Sequence, residues 1–69
     1  MRRFKVLQEL YLTILTRNDS YMLKVPVGAE LRLINGNLWY EDKLSIDDEY
    51  GLLYFEYITE IKGTLAESA

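Results

Sequence analysis

The chain has 69 residues, a formal net charge of −3, 49% apolar residues, and neither cysteine nor histidine. A chain this short holds one domain and buries only about 60% of its unfolded surface, so its folded state is marginal unless something reinforces it. Composition excludes disulfides, thiolate chemistry, zinc-finger ligation and histidine acid–base catalysis, which leaves self-association as the expected reinforcement.

Arg2, Arg3 and Lys5 begin like the basic start of a signal peptide. Gln8 and Glu9 interrupt the apolar stretch that follows, and no small-residue cleavage site comes after Leu15. No apolar run approaches the roughly 18 residues of a membrane span. The expectation is a soluble, cytoplasmic protein.

Leu10 to Thr16 is rich in β-branched and aromatic residues, with Leu10, Leu12 and Ile14 on one strand face. Phe4, Leu7, Leu10, Tyr11 and Ile14 also fit a helical stripe over residues 3–16. Strand is the favoured reading, because Thr13, Ile14 and Thr16 suit a helix poorly and a hairpin signal follows. Arg17-Asn18-Asp19-Ser20 is a turn cluster whose side chains satisfy their own backbone, and Tyr21 to Val25 resumes as a strand.

Pro26 and Gly28 break the chain before Leu31 and Leu33 alternate into Asn35-Gly36, a strong two-residue hairpin signal because both residues tolerate positive φ. The return strand runs Leu38-Trp39-Tyr40 and ends at Glu41-Asp42-Lys43. Trp39 reads as a core anchor, with an interface role as the alternative. Leu44-Ser45-Ile46 is a short strand or bridge, and Asp47-Asp48-Glu49-Tyr50-Gly51 a polar loop. Leu52 to Ile61 reads as one long strand with apolar residues on both faces, central to the sheet or meeting a partner. Gly63 ends it, and residues 63–69 read as a flexible tail beyond a single domain over 1–62.

About five short antiparallel strands joined by turn signals predict an all-β fold, a small barrel. Pro26, Gly28, the strand Leu31–Ile34, Asn35-Gly36 and Trp39-Tyr40 resemble the central part of bacterial SH3-like barrels, in which a Gly-initiated strand turns back into an aromatic pair. In size the chain is similar to the short barrels common among bacteriophage proteins. The resemblance covers about sixteen residues. It implies an SH3-like barrel serving as a binding module, and in its most specific form a phage-type inhibitor or regulator of a host protein. It carries over no ligand-binding residue.

Charge divides along the chain. Residues 1–40 hold six cations against three anions, a net +3, while residues 41–69 hold two cations against eight anions, a net −6. Tyr50, Tyr54, Phe55 and Tyr57 lie within the acidic part, just beyond Trp39 and Tyr40. Aromatics among carboxylates repel phosphate and suit a protein partner, whereas the plainer reading makes the aromatics core and the acids a solvated exterior. The candidate partner-binding residues are Tyr40, Glu41, Asp42, Asp47, Asp48, Glu49, Tyr54 and Glu56. Self-association is expected through Leu52–Ile61.

The alternative is a nucleic-acid-binding barrel in which Arg2, Arg3, Lys5, Arg17, Lys24 and Arg32 line a groove, although the chain is acidic overall. Catalysis is not expected. Asp47, Asp48 and Glu49 are sequential and lack the spacing of a calcium loop, and no nucleophile-plus-base pair or phosphate loop can be assembled. Neither a metal nor an organic cofactor is expected.

Overall fold

In the computed structural model, residues 1–62 are described; the expected tail over 63–69 lies outside the described residues. The described residues are all-β apart from one short helix. Its elements are β1 (Arg2–Val6), β2 (Leu10–Leu15), β3 (Ser20–Val25), β4 (Glu30–Ile34), β5 (Asn37–Tyr40), β6 (Lys43–Ser45), α1 (Glu49–Tyr54) and β7 (Ile58–Glu60). Seven antiparallel strands form one sheet in the order β3-β2-β6-β5-β4-β1-β7, curling into a small barrel-like body. Seven strands replace the five expected because the first nine residues contribute β1 and the segment read as a short strand or bridge becomes β6, while β7 is what remains of the expected C-terminal strand.

Period-two alternation drives the curl. Phe4 and Val6, then Leu10, Leu12 and Ile14, then Val25, Leu31, Leu38 and Ile58 all point inward and form the buried cluster. Leu23, Leu33, Tyr40, Leu52, Leu53 and Tyr57 pack around it, half-buried. Residues 3–16 are strand, as favoured, but in two pieces separated by Leu7–Glu9. β1 pairs with β4 and β7, whereas β2 pairs with β3 and β6, so one bent stretch of chain serves both halves of the sheet. The bend is pinned from outside the strands: Leu7 N–H donates to the Tyr57 carbonyl at 2.7 Å, and the Gln8 side-chain amide donates to the Glu56 carbonyl at 3.1 Å.

The β4–β5 hairpin forms as its sequence dictates. Ile34 faces Asn37 across a two-residue turn in which Asn35 and Gly36 have φ of 52° and 84°, the left-handed pair that a primed turn requires.

Two expectations are corrected. Trp39 is not a core anchor. It is half-buried on the outer face, opposite Arg32 on β4 and Leu44 on β6, while its neighbours Leu38 and Tyr40 point inward. An alternating strand cannot bury both sets, and Leu38, fully buried, takes the interior.

Leu52 to Ile61 is not one strand. Residues 49–54 are helix, and only Ile58–Glu60 is strand. Asp48 caps the helix by accepting the Tyr50 N–H at 3.0 Å. At the other end Glu56 N–H donates to Leu53 O and Tyr57 N–H to Leu52 O, the paired bonds of a Schellman stop, with Glu56 at φ 60°. The apolar residues on both faces thus belong to a helix turning Leu52 and Leu53 onto the core. The two-faced strand through which self-association was expected does not form.

Candidate functional site

The candidate residues sit at the two ends of β6. At its start, the β5–β6 turn joins Tyr40 to Lys43 through Glu41 and Asp42. Glu41 has φ 57°, a left-handed backbone that costs a residue with a side chain about 1–2 kcal/mol. The Arg32 guanidinium donates to the Glu41 carbonyl and holds the turn in place. Beside it lies an open groove of about 460 Å³ lined by Pro26, Ala29, Glu30, Arg32, Tyr40 and Glu41.

Charges on this rim are already engaged within the chain. Arg3 grips Glu30 with two donors, at 2.7 and 3.2 Å, and this hydrogen bonding holds the Glu30 carboxyl below its ordinary range. Lys43 Nζ lies 3.4 Å from Asp42 and 3.5 Å from Glu41, which raises the ammonium above its ordinary value, Asp42 contributing most. Asp42 and Glu41 remain exposed.

At the other end of β6, about 10 Å along the strand, Asp47, Asp48 and Glu49 play structural parts. Asp47 Oδ2 accepts the Thr13 N–H and the Ser45 hydroxyl, each at 2.7 Å. Asp48 is the helix cap, and Glu49 occupies the first turn, 9% exposed, where a carboxylate suits the helix dipole. Glu56 is exposed and ends the helix. The eight candidates therefore do not share one continuous face: Tyr40, Glu41 and Asp42 gather at the groove, and the other five gather around α1.

Tyr50 and Phe55, which the sequence reading left out of the candidates, complete the second cluster beside Tyr54. Tyr50, Tyr54 and Phe55 are 67%, 79% and 64% exposed. Tyr50 and Tyr54, four apart, share one helix face, and the Tyr54 and Phe55 rings meet edge to face with centroids 4.9 Å apart. The signal that could have found them is Asp48 preceding Glu49, a helix start from which the same pattern turns Leu52 and Leu53 inward and the three rings outward.

The basic residues of the nucleic-acid alternative are largely engaged, although Arg3 and Arg32 lie directly opposite one another on β1 and β4. Arg2 pairs with Glu60 at 2.9 Å and stacks over the Phe4 ring at 5.2 Å. Arg3 holds Glu30, Lys24 pairs with Glu9 at 3.3 Å, and Arg32 holds the Glu41 carbonyl. Among the described residues, no group of three or more acidic, histidine or cysteine side chains is placed to hold a metal ion, and no helix is long and apolar enough to cross a membrane. Comparisons of the chain with protein-family models, with curated proteins and with solved structures find no match.

Proposed function

We propose that this chain is a non-catalytic protein-binding module, a stoichiometric regulator of its partner, and that the outer side of α1 is its contact surface. The observation that carries the reading is the cluster of Tyr50, Tyr54 and Phe55, three exposed rings, two on one face of a short helix and the third at its C-cap. Leu52 and Leu53 already anchor that helix to the core, so the rings contribute nothing to its attachment. Tyrosine dominates protein-interface hot spots because it offers large, rigid, amphipathic area. Exposed carboxylates at Asp48 and Glu56 frame the rings, which fits a partner with an apolar pocket and a basic rim.

The nucleic-acid alternative draws less support, because four of its six cations are committed to intrachain partners and phosphate affinity needs free, clustered ones.

The test is capture from the source cell's lysate by the wild-type chain and by a Tyr54→Ala, Phe55→Ala variant whose fold is verified by circular dichroism. One stoichiometric protein retained by the first is expected to bind the second at least tenfold more weakly by calorimetry. Equal affinity for both, or salt-sensitive retention on single-stranded DNA with no protein captured, would remove the reading.

A further inference from the structure

We infer that β3 is a dimerisation strand, pairing antiparallel with β3 of a second copy about a two-fold axis normal to the sheet. β3 lies at one end of the sheet order; all six of its residues pair with β2 on one side, and no described strand pairs with it on the other. An open edge carries a row of backbone donors and acceptors that only another strand satisfies in series.

The two edges of this sheet are built differently. β7 is three residues long and carries Glu60, which keeps that edge short and charged. β3 is six residues long, holds no proline and bears a single charge, Lys24, already paired with Glu9. Proteins that remain monomeric blunt such edges with charge, proline or bulges, and β3 has almost none of this protection.

Apolar surface surrounds the open edge. Met22 is 62% exposed, and Tyr11, diagonal to it on β2 and opposite Lys24, is 56% exposed. Both belong to the outer face, as does Leu15, 45% exposed, and the Thr13 hydroxyl reaches the Met22 sulfur at 3.3 Å. On the inner face Tyr21 stands 43% exposed at the edge.

Register identifies the occupant as a second copy. Continuous inner and outer faces require residues directly opposite to point to the same side. Within β3 this is met by setting Met22 against the other copy's Met22, Tyr21 against Leu23, and Ser20 against Lys24. That register joins the most exposed apolar residue of the strand to itself at the centre of the patch. It places the two lysines at opposite ends, each facing a serine, so no like charges meet. A chain of 69 residues without cysteine gains from this pairing the reinforcement that its own small core does not supply.

The experiment uses the full chain. Sedimentation equilibrium at tens of micromolar is expected to give a dimer, and Met22→Lys, a change at an exposed outer-face position, is expected to give a folded monomer. Because the chain has no cysteine, single-cysteine variants report the register. Met22→Cys is expected to form a disulfide-linked dimer on mild oxidation, and Thr59→Cys on the opposite edge is expected not to. A monomeric wild type, a dimer that persists in Met22→Lys, or cross-linking of Thr59→Cys equal to that of Met22→Cys would each overturn the inference.

Discussion

Asp47 accepts the backbone N–H of Thr13 through Oδ2 at 2.7 Å, across 34 positions of chain. The same oxygen accepts the Ser45 hydroxyl, and Ser45 Oγ in turn accepts the Asp47 N–H at 3.0 Å. One carboxylate thereby fastens the exit of β6 to the middle of β2 where strand pairing gives way to the loop. Asp47→Ala leaves the Thr13 N–H and the nearly buried Ser45 hydroxyl without their shared acceptor. The expected loss is about 1–3 kcal/mol, read as a lower urea midpoint at unchanged slope. Charge reversal at Asp47 is thus expected to lower stability, because its carboxylate is committed to Thr13 and Ser45 within the chain.

Gly51 lies inside α1, and a Cβ built on it meets nothing within 4 Å. Gly51→Ala is expected to stabilise the chain by about 0.5–1 kcal/mol, since the substitution removes unfolded-state freedom without a clash. Thermal denaturation checks this as a rise in Tm.

Glu56 holds the left-handed position that ends α1, with φ 60°. Glycine occupies such a position without steric cost, so Glu56→Gly is expected to stabilise by about 1 kcal/mol and Glu56→Val to destabilise. Opposite shifts of the two variants in a chemical melt would establish the Schellman stop as the cause.

Acid weakens the fold through two ion pairs. The hydrogen bonds from Arg3 and Arg2 hold the Glu30 and Glu60 carboxyls below their ordinary 4.5. A carboxyl with a lowered folded-state pKa contributes stability that is complete above its unfolded value and is lost as pH falls through the folded one. Stability is therefore expected to be level with respect to these groups from neutrality to about pH 5 and to fall below that. A Glu30→Gln, Glu60→Gln variant is expected to show a shallower acid limb in urea melts taken along a pH series. Lys43 acts at the other extreme: its raised pKa makes its contribution one that is lost only as pH climbs beyond the ordinary 10.5.

Local patterns carried much of the fold. Leu10, Leu12 and Ile14 announced β2, Leu31 and Leu33 announced β4, and Asn35-Gly36 fixed the hairpin between β4 and β5. Alternation around Trp39 was legible, but it was read with Trp39 on the inner face, which Leu38 and Tyr40 occupy instead. α1 was hidden because Leu52, Leu53, Tyr54 and Phe55 are apolar on every side, and such a run has no decisive period. Asp48 then settles the matter by capping, a signal one residue wide. The roles of Asp47 and of the β3 edge rest on pairings between distant parts of the chain, and no local window contains them.

The bent stretch from β1 to β2 has a consequence for how the molecule comes into being. β1 is made before the other described strands, yet its two neighbours are β4 and β7, so Phe4 waits for Leu31 and then for Glu60 before both its flanks are covered. Closure at such sequence separation is slow compared with hairpin formation. During synthesis the β2–β3 and β4–β5 hairpins can form as their own turns emerge, while the opening strand stays half-clothed until the last one is delivered.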